Sequence, residues 1–354
     1  MSLAAVLTKP NAPLELREIS WLQPEYGQVY VKILATGICG AQLQEIRGEK
    51  GSYFPRLLGH EAAVKVERVG PGVTKVKVGD LCVAHWRKGD GVESQSPRFR
   101  MGDTEYTSGQ ITTFGEYSVI SENRLTWVPE YTPLALCSLL GCALSTALGT
   151  IENEANLKIG ESVLIIGCGG LGLNLILAAK LRGASHIAVM DVENKSKMAQ
   201  SMGATFFWNK CRTPYGDISD RLIDKLTRAF VHNHPFDVVI DTSGNPESIS
   251  EGISFLGPSG RFISVGQARK PFTVQNPLSM FSGDGQSISA TQGGKFNPSR
   301  DVPRYVEAYK YKVFENTGIE GLISHRFPLS EINEALELVR NGHAGRILIE
   351  CEKQ

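Results

Sequence analysis

Ser162-Val-Leu-Ile-Ile-Gly167-Cys-Gly169-Gly170-Leu-Gly172-Leu-Asn-Leu-Ile-Leu-Ala-Ala-Lys180, followed by His186-Ile-Ala-Val-Met-Asp191, decides the fold. Val163 to Ile166 is short, apolar and β-branched, the pattern of a strand buried on both faces. Gly167-x-Gly169-x-x-Gly172 then turns the chain into an apolar helix. Glycine is needed there for the tight turn, for close approach of a pyrophosphate to bare backbone and for helix–strand packing. The helix N-terminus offers free N–H groups and a partial positive charge to that pyrophosphate. A second strand, Ile187 to Met190, ends at Asp191, placed to accept hydrogen bonds from an adenosine ribose. Strand, glycine turn, helix, strand and acid in this order predict a doubly wound α/β domain that binds a dinucleotide, with Gly167, Gly169, Gly170 and Gly172 at its phosphates.

Alternating strands and helices continue downstream. Asp237-Val-Val-Ile-Asp241 and Gly260-Arg-Phe-Ile-Ser-Val-Gly266 read as strands ending in small or polar residues, where open α/β sheets bind ligands. Ser330 opens an amphipathic helix that Asn341-Gly342 stops, and Gly345 to Glu350 closes the chain as a strand. Upstream the character differs. Leu3 to Leu7, Leu14 to Ile19, Val29 to Leu34, Ala62 to Val69, Leu81 to Trp86 and Thr113 to Ile120 read as short strands, which predicts a small barrel or sandwich. Pro133 to Thr150, rich in Ala and Leu, reads as one helix.

The chain has 354 residues, enough for two domains with their own cores. Lys plus Arg and Asp plus Glu both number 37, so no general attraction draws it to nucleic acid or to an acidic membrane. The apolar run Leu164 to Leu181 is broken by the glycines and Asn174 and is no membrane span. Met1 to Val6 is too short and uncharged for a signal peptide. Seven scattered cysteines fit free thiols or metal ligands in a reducing cytoplasm better than a disulfide framework.

Cys39 (in Ala35-Thr-Gly-Ile-Cys-Gly40), His60 (in Leu58-Gly-His-Glu61) and Cys142 (in Leu139-Leu-Gly-Cys-Ala-Leu-Ser-Thr146) belong to no CxxC pair, so spacing alone assigns no metal. Their order is more telling. Together with Gly70-Pro-Gly-Val, Val78-Gly-Asp80, Gly167-Cys-Gly-Gly-Leu-Gly172, Gly293-Gly294, Ile323-Ser-His325 and Asn341-Gly-His-Ala-Gly-Arg346, they make nearly the whole chain resemble the zinc-dependent medium-chain alcohol dehydrogenases. The resemblance implies a GroES-like β-barrel catalytic domain over 1–143, with 292–354 returning to it, and a Rossmann NAD-binding domain over 144–291, the active site lying between them. It implies one catalytic Zn²⁺ held by Cys39, His60 and Cys142, with Glu61 as a further or transient ligand. Two thiolates and an imidazole leave one tetrahedral position open, and the ion would act as a Lewis acid on the substrate oxygen. It also assigns Thr146 and Leu171 to the nicotinamide, Val265-Gly266 and Thr291-Gln292 to its carboxamide, Lys195 to the ribose and Arg346 to the pyrophosphate. Asp191, with no arginine in Val192-Glu-Asn-Lys195, favours NAD over NADP. A homodimer or homotetramer paired through an edge strand near Ser287 to Ala290 is expected.

The chain departs from the family in two places. His85 to Thr113 contains no cysteine where many relatives carry four, so no structural zinc is expected. The Ser or Thr that relays the substrate proton, and the Asp that follows it, are Ala41 and Gln42 here. Alanine relays no proton, and Gln42 can bond an imidazole but carries no charge to raise its basicity. His85, Gln44, Glu45 or a water are the candidate replacements, and His85 is either a group titrating near neutrality or a hydrogen-bonded strand histidine. A polar pocket of Gln42, Gln44, His85 and Trp86 suggests a polyol, sugar or sugar phosphate, whereas Arg87, Lys88, Arg98 and Arg100 face as many acids and read as a solvated loop. The competing functions are an NAD(P)H-dependent reductase of an activated C=C bond and a non-catalytic nucleotide-binding homologue.

Overall fold

The computed structural model describes residues 1–49, 51, 53–210, 236–268, 270–274, 285–315 and 317–351. Cys211 and the segment around it lie outside these. The chain divides into two compact units, Met1–Ser145 with Asn297–Val313 and Ile323–Gln354, and Thr146–Phe296 with Phe314–Leu322.

The second unit contains the fingerprint. Its six parallel strands run in the order Phe206–Asn209, His186–Asp191, Ser162–Ile166, Phe236–Asp241, Leu256–Ser264 and Ser287–Ala290. Numbered along the unit this is 3-2-1-4-5-6, the doubly wound order whose direction reverses beside the first strand. Leu164, Ile166, Met190, Val239 and Phe262 form one core of this unit, which is why the strands read as unbroken apolar runs. Phe314–Leu322 groups with this unit although the sequence reading gives the whole stretch after 292 to the other. The reason is close packing: a Cβ on Gly318 would lie 2.7 Å from the Ser201 carbonyl oxygen, and Gly318 has φ +86°.

Gly172 shows how tightly the turn is made. A Cβ there would lie 2.0 Å from the carbonyl oxygen of Gly167. Backbone cannot yield as a flexible side chain can. Gly172→Ala is therefore expected to cost about 3 kcal/mol, the upper end for overpacking, and to weaken nucleotide binding. Urea unfolding with nucleotide titration of the variant checks this.

The first unit holds two sheets. One runs Arg56–Leu57, Ser2–Leu7, Glu15–Trp21, Arg98–Met101 and Thr104–Thr107. The other runs Leu125–Trp127, Leu81–His85, Glu61–Val69, Gln28–Ile38, Arg346–Glu350 and Ile323–Pro328, with Tyr117–Ser121 also paired to Gln28–Ile38. Val29, Val31, Ile33, Val64, Val66 and Ile120 make the core inside the latter. Antiparallel pairing of Ile38 with Ile347, of Thr36 with Ala62 and of Glu61 with His85 brings four strand ends to one edge. The stretch read as a single helix is two, Leu134–Leu140 and Ala143–Gly149. The pair formed by Leu134–Leu140 and Ala143–Glu154 is bent by 54°. Gly141 lies at the break because the backbone there packs onto the sheet, where a Cβ would meet the Ala84 carbonyl oxygen at 2.5 Å and Glu61 Cβ at 2.7 Å. Among the described residues no single helix is long and apolar enough to cross a membrane.

Candidate metal centre

The site lies where those strand ends converge. Cys39 follows the strand Gln28–Ile38 and caps the helix Gly40–Ile46. His60 immediately precedes the strand Glu61–Val69, and Cys142 occupies the break after Gly141. One ligand atom from each of Cys39, His60, Glu61 and Cys142 lies within 4.8 Å of the others. Gly37 leaves room for the Glu61 carboxyl, since a Cβ there would come within 2.8 Å of Glu61 Cδ.

The electrostatics suit a cation. The Cys142 thiol lies 3.9 Å from Cys39 Sγ and donates to it. That contact holds the Cys39 pKa well below the ordinary thiol range and the Cys142 pKa well above it. Burial opposes charge on His60, yet the Cys39 thiolate and Glu61 outweigh it and raise its pKa. Burial raises the Glu61 pKa against the pull of Arg346. His60 Nε2 and Glu61 Oε2 are buried with no hydrogen-bond partner among the described residues. Buried polar atoms are normally satisfied, so two orphans beside two sulfurs mark a place for a missing partner. Cysteine, histidine and carboxylate within one small volume are zinc donors.

A family model described as "Alcohol dehydrogenase GroES-like domain" matches residues 25–130, and one described as "Zinc-binding dehydrogenase" matches residues 170–309. The chain is 30% identical to "Alcohol dehydrogenase 6" of Peromyscus maniculatus, over 98% of this chain and 96% of that protein. The chain belongs to the zinc-dependent medium-chain alcohol dehydrogenase family. "Alcohol dehydrogenase class-3" of Cereibacter sphaeroides is likewise 30% identical, over 98% of each chain. The solved structure of benzyl alcohol dehydrogenase from Acinetobacter calcoaceticus superposes with a TM-score of 0.85, at 24% identity and 99% coverage of both chains, which shows the shared fold. As a member of this family the chain is an oxidoreductase with the α/β, GroES-like and Rossmann architecture.

Against the family pattern, His85 requires a correction. The sequence leaves it either as one of four relay candidates, titrating near neutrality, or as a hydrogen-bonded strand histidine. It is fully buried, its Nδ1 donates to the Arg87 carbonyl at 2.6 Å, and its Nε2 accepts from Thr126 Oγ1 at 3.0 Å. Both nitrogens are used, and burial lowers its pKa to about 4. It is a hydrogen-bonded strand histidine. Unfolding moves that pKa back toward 6.5, so between these values the unfolded chain binds the extra proton. Stability then falls as pH drops from about 6.5 to about 4, by about 3 kcal/mol in all, and is untouched above that window. His85→Gln is expected to flatten this slope by one proton in urea midpoints measured against pH.

Glu45, another relay candidate, has its Oε2 3.1 Å from Arg56 Nη2. Arg346 is buried and donates through Nη2 to Glu61 Oε1, inside the metal cluster, whereas the resemblance sends it to the pyrophosphate. Burial works against its charge, but Glu61 and the two cysteines raise its pKa. Sequence reasoning missed this pair, and no local signal could have shown it. The Gln42 contacts did have a signal. Cys39 and Gln42 stand at the N-cap and third helical positions of a capping box.

In the second unit the nucleotide residues gather at one end of the sheet. Gly169 caps the helix Gly170–Leu181, with Leu171 in its first turn. Asp191 Oδ2 accepts from the Cys168 N–H at 2.5 Å and Oδ1 from the Glu193 N–H at 2.8 Å, while Lys195 Nζ lies 3.9 Å from Oδ2. Val265 follows the strand Leu256–Ser264, its N–H bonded to the Asp241 carbonyl. Thr146 lies buried in the helix Ala143–Gly149.

Proposed function

We propose that this enzyme exchanges a hydride between NAD(H) and a secondary alcohol or the corresponding ketone, with a polyol or sugar as substrate. The observation that carries the reading is the convergence of Cys39, His60, Glu61 and Cys142 on one point in a chain that also has the dinucleotide turn. In this reading Cys39, His60 and Cys142 hold one Zn²⁺, with Glu61 as the additional carboxylate. When bound, the ion supplies Lewis acidity at the substrate oxygen. The residues of the chain do the rest. Gly167 to Gly172 seat the pyrophosphate, and Asp191 accepts from the adenosine ribose while its charge repels a 2′-phosphate. Lys195 lies beside that carboxylate and contacts the ribose. Leu171, Thr146 and Val265 serve the nicotinamide end. Assembly of the complete donor set argues against the C=C reductase and the non-catalytic homologue.

The substrate class rests on Ala41. Ala41 has no hydroxyl to take the alcohol proton, and a substrate with a neighbouring hydroxyl supplies a polar group there itself. A phosphorylated substrate is less well supported. Lys88 is paired with Glu93, Arg98 with Glu25 and Glu105, and Arg100 with Glu105, which leaves those bases matched. Six described cysteines are free thiols, in keeping with a reducing cytoplasm. The exposed edge strand Ser287–Ala290 is the proposed pairing surface of a homodimer or homotetramer. A panel of polyols, sugars, sugar phosphates, secondary and primary alcohols with NAD and NADP tests the reading. Turnover of vicinal diols or sugars with NAD preferred is expected. Activity confined to short primary alcohols, or preference for NADP, would contradict it.

A further inference from the structure

Gln42 bridges two of the three proposed ligands. It is 1% exposed. Its Oε1 accepts from the Cys39 backbone N–H at 3.1 Å, and its Nε2 donates to His60 Nδ1 at 2.5 Å. The two contacts fix each other. An amide whose oxygen is taken by a backbone N–H can offer only its NH₂ to the imidazole. Nδ1 is then the acceptor nitrogen, and a neutral His60 has its proton on Nε2, the buried orphan atom.

Metal binding demands the opposite arrangement. A neutral imidazole bound to metal through Nε2 has its proton on Nδ1, which must find an acceptor. Gln42 can provide one only by turning its amide over, and its NH₂ would then face the Cys39 N–H, donor against donor. The carboxamide can satisfy Cys39 N–H or His60 Nδ1–H, never both. A carboxylate of the same shape accepts from both at once.

Resting on the metal reading above, we infer that Gln42 is a positioning residue whose amide is matched to both Cys39 and His60 only in the metal-free site and which thereby weakens the site's grip on the ion. The loaded site has one buried donor too many, and the metal-free site has none at this residue. The cost falls on metal affinity, which partners of ligating histidines typically change by 10–100-fold.

Two variants with nearly the volume of glutamine separate this from simple packing. Gln42→Glu accepts from both donors, and Gln42→Met from neither. Zinc dissociation constants of wild type, Q42E and Q42M are measured by competition with a chromophoric chelator, with cobalt absorption spectra confirming the ligand set. The expected order of affinity is Q42E tighter than wild type by about tenfold or more, and Q42M weaker than wild type. A packing role gives the reverse for Q42E, which would bury a charge for nothing, and leaves Q42M equal to wild type. If Q42E does not fold, as judged by metal-free melting, Q42M alone decides: equal affinity overturns the inference, and weaker affinity supports it. Wild-type protein that takes up no metal overturns the metal reading itself. Wild type that binds zinc while Q42E binds it no tighter overturns only the role of Gln42.

Discussion

Cys142→Ser is expected to lower kcat/KM by roughly a thousandfold, equivalent to about 4 kcal/mol of lost transition-state stabilisation, and to lose the bound zinc with it. Serine matches cysteine in size but does not ionise at neutral pH, so the cluster of two sulfurs, a histidine and a carboxylate is reduced to one sulfur. The fold should survive, because the break between Leu134–Leu140 and Ala143–Gly149 is set by Gly141 and not by the thiol. Cys137 is the control. It is fully buried on the preceding helix, and burial pushes its thiol up to about 12. Cys137→Ala should retain zinc and most of the activity. Equal losses in the two variants would mean that burial, and not ligation, makes Cys142 matter.

Arg346→Leu is expected to cost about 3–5 kcal/mol of stability, the penalty for leaving one partner of a buried ion pair uncompensated. Glu61 is fully buried, and its carboxylate accepts from the Arg346 guanidinium. The loss should depend on pH in a definite direction. With the guanidinium gone, burial keeps the Glu61 pKa above its unfolded value, so the folded protein binds the extra proton. Stability is then retained at low pH and lost as pH rises through the raised pKa. The deficit should therefore be larger at pH 8 than at pH 5. The double variant Glu61→Gln with Arg346→Leu removes both charges and should recover part of the loss. Urea unfolding of the wild type and the two variants at both pH values gives the comparison.

The Rossmann unit was legible because its signal is local. Val163 to Ile166, the glycine turn and Asp191 lie within one strand–helix–strand unit, and buried parallel strands are continuous apolar runs. The metal centre was not local. Cys39, His60 and Cys142 come from three separate segments, and only their register with a family brought them together; pairing between strands does so physically. The two readings of His85 stayed open because a sequence shows which strand a histidine occupies but not what faces its nitrogens. The Arg87 carbonyl and Thr126 hydroxyl use both. Arg346 reaches Glu61 across most of the chain, so neither residue announces the other. The single helix expected over Pro133 to Thr150 failed at Gly141-Cys142, where composition still favours helix but the neighbouring sheet does not allow it to continue.

The zinc K-edge X-ray absorption spectrum of the purified protein tests the centre most directly. A Cys39, His60, Cys142 site should give two sulfur neighbours at about 2.3 Å and nitrogen or oxygen neighbours at about 2.0–2.2 Å. A shell of four sulfurs, or one with no sulfur at all, would contradict it.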